Sequence, residues 1–250
     1  MEYSRRNLIA LLGGGITACF VTRAAAQSPI EELAELASHG NSSRLAYIKS
    51  PSDQTIDGNS HRGLEALREF SDQRISLAID EEIIGLDPET DLLEPFRLIY
   101  WPIREQDPQI SADAQNKVRS FLDNGKLIMF DVERTSPDMV GRVRELLGGY
   151  NFGPLTELPE NHPLTYPIFR TDDLFGLLNF GPVYIQAPNP AQPEDKTGVI
   201  IGQRDWALSW AANQEAALRA GLNTVAYAYG IGNYKEDQFE IQEMIERALE

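Results

Sequence analysis

Side chains able to do chemistry are few in this chain of 250 residues. It holds three histidines (His39, His61 and His162) and a single cysteine, Cys19. His162 stands in Pro159-Glu160-Asn161-His162-Pro163-Leu164-Thr165, a stretch expected to fold over the carboxyl edge of a sheet, where open α/β proteins hold their ligands. Asp131 closes the apolar run Leu127-Ile128-Met129-Phe130. A histidine base partnered by a carboxylate can activate water or a hydroxyl, so Asp131 and His162 are the catalytic candidates. Each has a structural alternative: a turn at Asn161-His162-Pro163 with a hydrogen-bonded imidazole, and Asp131 as the cap of the next helix. Trp101 and Trp206 are ligand-binding candidates, since an indole face offers a sugar or ring a broad apolar platform; core packing is the competing reading. Asn233, Tyr234, Lys235 and Asp237 lie between two expected helices and complete the ligand-binding candidates. His61, at an expected helix start, reads as a solvated surface residue.

Other chemistries lack their residues. No H-E-x-x-H, histidine pair at ligand spacing or calcium loop occurs, so no metal is expected; Asp87, Glu89 and Asp91 read as a solvated acidic loop. Gly230-x-Gly232 is too short for a dinucleotide fingerprint, and no cofactor is expected. No serine has the G-x-S-x-G context that raises a hydroxyl above a sheet.

The elements that must position these residues follow from apolar periodicity. Residues 44–50, 96–102 and 126–132 ("RLAYIKS", "FRLIYWP", "KLIMFDV") are compact apolar runs that predict buried strands. Between and after them come amphipathic helices: "HRGLEALREFSDQ", capped by Asn59 or Ser60; "ADAQNKVRSFLDNG", capped by Ser111; and "SPDMVGRVRELLGG", with Pro137 in its first turn. Unbroken apolar strands alternating with helices predict an α/β three-layer sandwich with a mainly parallel sheet. Residues 151–176 read as a long excursion over the sheet, "PVYIQ", "GVIIG" and "WALSW" as further strands, "NQEAALRAGLNTVAYAYGI" as a long helix and "EDQFEIQEMIERALE" as the closing one.

The chain opens with Ser4-Arg5-Arg6-Asn7-Leu8-Ile9, fourteen uncharged residues from Leu8 to Val21, and Ala24-Ala25-Ala26. That run is short of the roughly 20 residues that span a bilayer, and its three glycines disfavour a helix. Paired arginines, a short apolar core and a small-residue cleavage site resemble a twin-arginine export signal, residues 1–26, with Arg5 and Arg6 as its recognition residues. The location expected is the periplasm. The alternative is a membrane-tethered lipoprotein, with Ile16-Thr17-Ala18-Cys19 as the acylation site and Cys19 as the lipid-bearing residue. Residues 27–43 read as a linker with a short helix, and 44–250 as a single α/β domain. Removing Glu2, Arg5, Arg6 and Arg23 with the signal takes 22 basic and 38 acidic residues to 19 and 37, and leaves no cysteine. So acidic a surface repels phosphate backbones and anionic lipid: no nucleic acid is expected as partner, and no membrane contact apart from the signal or a lipid at Cys19.

"RAGLNTVAYAYGIGNYKEDQFEIQEMIERAL", together with "LAYIKS", "RGLEAL", "EEIIGLDPETDLL", "LIYWPI", "LIMFD", "PENHPLT" and "RDWALSWA" in order, resembles the bacterial domain of unknown function 4159 across residues 44–250. The resemblance implies a class I glutamine-amidotransferase-like, flavodoxin-like α/β fold, and it carries over no catalytic residues. Amidotransferases use a cysteine nucleophile, which a chain cleaved after Ala26 lacks, so that activity is not expected. Whether the protein is an enzyme stays open at this point. The expected function is a non-catalytic module of the cell envelope that binds a small ligand or an envelope protein; the alternative is a hydrolase of carbohydrate-like substrates using Asp131 and His162.

Overall fold

Two six-residue strands, β3 (Leu98–Ile103) and β4 (Leu127–Val132), are buried at every position, which only a sheet covered on both faces allows. They form the middle of a seven-stranded sheet in a computed structural model that describes residues 44–74, 79–177, 180–187 and 197–230. With β1 (Ala46–Ile48), β2 (Ile84–Leu86), β5 (Leu155–Glu157), β6 (Phe180–Gln186) and β7 (Val199–Gln203), the strand order is β2-β1-β3-β4-β7-β6-β5. The first five in that order are parallel, and β6 and β5 add an antiparallel edge.

Alternation along β3 and β4 builds two cores. Leu98, Tyr100, Leu127 and Met129 face one side, packed by α1 (Gln54–Arg74), α4 (Trp206–Ala211) and α5 (Glu215–Tyr229). Ile99, Trp101, Ile128 and Phe130 face the other, packed by α2 (Ala112–Asp123) and α3 (Met139–Leu146). The three layers and the mainly parallel sheet are those expected from the apolar runs. The chain goes from β1 through α1 outward to β2, then returns to the other side of β1 with β3. The carboxyl ends of β1 and β3 therefore flank the topological switch point, the place where open sheets part to admit a ligand.

Several boundaries differ from expectation for local reasons. Helix α1 starts at Gln54, before Asn59, because Asp53 Oδ1 takes the Thr55 N–H at 2.9 Å and supplies the cap itself. Helix α3 is capped by Asp138, whose carboxylate accepts from Gly141 N, and so begins after Pro137. Ser111 does cap α2, through the Ala114 N–H. "WALSW" is a helix, α4, and not a strand: a buried carboxylate described below takes its first N–H, on Trp206, and those of the two residues before it. The closing helix expected over "EDQFEIQEMIERALE" lies outside the described residues.

Helices α1 and α4 touch backbone to backbone at Gly63. A Cβ there would lie 2.4 Å from the Ala207 carbonyl oxygen and 2.8 Å from its Cα. Alanine gains about 1 kcal/mol of helix propensity over glycine, yet Gly63→Ala should destabilise by about 1–3 kcal/mol, because neither backbone can yield. Gly58→Ala in the same helix, with nothing within 4 Å of a new Cβ, should stabilise by about 0.5–1 kcal/mol. Urea unfolding of both variants measures the contrast; equal effects would refute the packing argument.

Candidate functional site

Asp131 is the fifth residue of β4, and alternation turns it toward α1, α4 and α5 beside Tyr100. Its carboxylate has four donors. Oδ1 accepts from Arg204 N at 3.0 Å and Asp205 N at 3.2 Å; Oδ2 accepts from Trp206 N at 2.7 Å and the Tyr100 hydroxyl at 2.7 Å. Burial pushes its pKa up from 3.8 to about 6, against the pull of the Tyr100 and backbone hydrogen bonds. The same burial, with the Asp131 charge beside it, raises Tyr100 well above the ordinary phenol value.

The three N–H groups belong to a sharp turn from β7 into α4. Asp205 sits in it with left-handed backbone (φ 50°), strained for a residue with a side chain. Its carboxylate meets Arg134 Nε at 3.4 Å. Arg204 donates to Asp173 at 2.9 Å and to the Gly181 carbonyl at 2.9 Å, and Gln203 reaches the carbonyls of Glu133 and Ser136. Gly202 leaves room for the Trp206 ring, which a Cβ would approach to 2.6 Å. Asp131 is thus the helix cap anticipated as its structural role, although the helix is α4, after β7, and not the one that follows β4 in the chain.

His162 does not meet Asp131. Its Nδ1 accepts from Leu164 N at 3.2 Å, capping the short 3-10 turn Pro163–Thr165, and its ring lies 5.9 Å from that of Tyr227. The Tyr227 hydroxyl accepts from Thr197 N, just before β7 begins, whereas Asp131 pairs with Gly202 near its end. Five strand residues, roughly 16 Å, separate those points. His162 therefore lies toward the amino edge of the sheet, not over the carboxyl edge as expected. The reason is α5, which runs back along the sheet and carries Asn223. That buried amide accepts from Ile168 N and Phe169 N and donates to the Phe169 carbonyl, pinning the excursion to the returning helix. Burial lowers the His162 pKa from 6.5 to about 4.

Neither tryptophan offers a platform. Trp101 is 3% exposed on the opposite face of the sheet, 5.6 Å from the Phe130 ring; Trp206 is 1% exposed, its indole N–H donated to the Leu174 carbonyl. His61 pairs with Glu65 at 3.3 Å on the outside of α1. Asn233, Tyr234, Lys235, Asp237, Arg5, Arg6 and Cys19 lie outside the described residues.

A polar cluster at the switch point escaped the sequence reading. Asp107, 6% exposed, accepts from the hydroxyls of Ser50 (3.1 Å) and Ser52 (2.6 Å) and from Arg104 N (2.8 Å). The buried Arg142 of α3 donates to the carbonyls of Arg104 and Asp107, and Ser50 N donates to Asp57 of α1. The signal for it was the serine-rich "KSPSD" after β1 set against "REQDP" after β3, two polar loops at the ends of neighbouring parallel strands. Among the described residues no three or more His, Cys, Asp or Glu side chains are grouped to hold a metal ion, and no helix is long and apolar enough to cross a membrane.

No curated protein matches the chain. One family model does, over residues 44–229, a range that takes in both cores, the Asp131 cap and the Asn223 clamp and ends before Asn233. The chain belongs to that family, the domain of unknown function DUF4159.

Proposed function

We propose that this protein is an exported α/β module of the cell envelope that binds a small ligand or a protein partner without transforming it. The observation that carries this reading is the occupied turn at 204–206. A class I amidotransferase-like fold presents a nucleophile on a tight strand-to-helix turn and offers backbone N–H groups to the oxyanion that forms. Here the turn has the strained residue, Asp205, but the N–H groups of 204–206 are spent on the chain's own Asp131 carboxylate. A carboxylate resident among those donors competes with the very charge they would stabilise. Separation of His162 from Asp131 removes the base–carboxylate pair on which the carbohydrate hydrolase reading depended. Export by the twin-arginine route is supported by Ser4-Arg5-Arg6 with the short apolar run and Ala24-Ala25-Ala26, and it fits a domain whose residues 44–250 contain no cysteine.

The test uses the chain expressed with its own leader and recovered from the periplasm. A thermal-shift screen against envelope metabolites should find a ligand that raises the unfolding temperature by mass action, and that ligand should be recovered chemically unchanged. Turnover of the ligand that is lost in Asp205→Asn or His162→Asn would overturn the reading. The mass of the mature N-terminus separates cleavage after Ala26 from acylation at Cys19.

A further inference from the structure

Most polar groups at the switch point have partners; Arg104 is the exception. It follows β3 directly, is half-buried, and its Nε is sequestered from solvent with no hydrogen-bond partner. Among the described residues its guanidinium makes no hydrogen bond or ion pair. That is unexpected in a chain with 38 acidic residues against 22 basic ones, where carboxylate partners are in excess. Withdrawing the guanidinium's Nε–H from water without an acceptor is unfavourable, so the position fits a group held for an anion that comes from outside. Alternation along the extended run of β3 puts Arg104, four residues after Tyr100, on the α1/α4/α5 face that Tyr100 shares with Asp131, and its charge acts on the Tyr100 hydroxyl.

A second orphan borders the same place. Ser60 of α1 is 0% exposed and its hydroxyl has no partner. It stands one turn before Gly63, which touches Ala207 at the start of α4, and Tyr100 also approaches Ala207 N. Two unsatisfied donors from separate elements thus flank the wedge between the second turn of α1 and the first turn of α4, over the carboxyl end of β3.

We propose that this wedge receives the acid group of a small ligand, a carboxylate or a phosphate, with Arg104 as its cation and the Ser60 hydroxyl as the inner neutral donor. The planar guanidinium suits either group, since both accept two parallel N–H bonds. The inference rests on the binding-module reading and gives it a site and a ligand class.

The experiment titrates the full chain with inorganic phosphate and, separately, acetate at constant ionic strength, following unfolding temperature and the Arg side-chain Nε–H signals. At least one anion should bind saturably. Arg104→Gln should lose at least tenfold in affinity, Arg104→Lys should fall between, and Ser60→Ala should weaken binding several-fold while leaving the free protein's unfolding temperature unchanged or higher. A response to phosphate alone supports a phosphate ester, and to acetate alone an organic acid. No response to either, or equal responses in wild type and Arg104→Gln, overturns the site; if Arg104→Gln does not fold, Arg104→Lys and Ser60→Ala decide. A screened metabolite that binds Arg104→Gln as well as wild type would sink this site and leave the binding module standing. An anion bound at Arg104 but turned over would do the reverse.

Discussion

Asp131→Ala is expected to lower stability by about 4 kcal/mol, a fall of roughly 8–16 °C in unfolding temperature for a domain of this size, measured by calorimetry. The carboxylate accepts from three N–H groups of the β7–α4 turn and from the Tyr100 hydroxyl, and the change removes that acceptor from all four, three of which are buried. Asp131→Asn keeps the shape but points an amide N–H₂ at two of the donors, so it should recover only part of the loss. Tyr100→Phe removes one donor and should cost about 1–2 kcal/mol. An Asp131→Ala protein as stable as wild type would show that the turn folds without its cap.

The same residue gives a pH signature whose sign can be worked out. Its folded pKa of about 6 lies above the unfolded 3.8, so the folded state holds the proton more tightly. Its contribution is fully present below about pH 4 and lost as pH rises through 6, amounting to about 3 kcal/mol across that window. His162 works oppositely. With its folded pKa lowered to about 4 from 6.5, its contribution is present above about pH 6.5 and lost as pH falls toward 4. The two slopes oppose each other. Relative to wild type, Asp131→Asn should therefore lose stability as pH falls from 6 to 4, and His162→Asn, which retains a capping oxygen, should gain it. Parallel curves for all three proteins would contradict both assignments.

Asn223→Ala is the second large effect, expected at about 3 kcal/mol. Its amide is 0% exposed and is used at both ends: the oxygen by Ile168 N and Phe169 N, the nitrogen by the Phe169 carbonyl and Thr171 Oγ1. Truncation leaves buried backbone groups unpaired and frees the 159–176 excursion from α5. Asn223→Asp keeps the oxygen but turns a second oxygen on the Phe169 carbonyl, and should be no better than alanine. Hydrogen exchange and limited proteolysis should show the loss concentrated in 159–176; a uniform loss would mean that α5 itself, and not the clamp, had been damaged.

These positions explain what the stretches that carry the resemblance do in this chain. "RGLEAL" contributes Gly63, "LIMFD" the Asp131 cap, "RDWALSWA" the N–H groups it caps, "PENHPLT" the 3-10 turn capped by His162, and "RAGLN" both Gly221 and Asn223. A Cβ on Gly221 would meet Leu67 and the Trp210 indole at 2.8 and 2.9 Å. The recognisable residues are thus largely those that weld α1, α4, α5 and the excursion to one face of the sheet.

The layered α/β class, the strands at β1, β3 and β4, the Ser111 cap and the family were legible in the linear chain, because apolar periodicity and capping act over a few residues. Helix α4 was not. "WALSW" satisfies a strand's composition, and a carboxylate 75 residues before Trp206 fixes the turn into the helix by accepting the Trp206 N–H and those of the two residues before it. The position of His162 was equally hidden, since it depends on an amide 61 residues later in α5 that no local pattern announces. The unpaired state of Arg104 lay further out of reach: an arginine in a sequence always has acids nearby, and whether any can reach it is decided by the directions in which packed elements point. Local propensity therefore set most of the strands and helices, while long-range hydrogen bonds and packing decided which polar groups were consumed in holding them together and which were left without a partner.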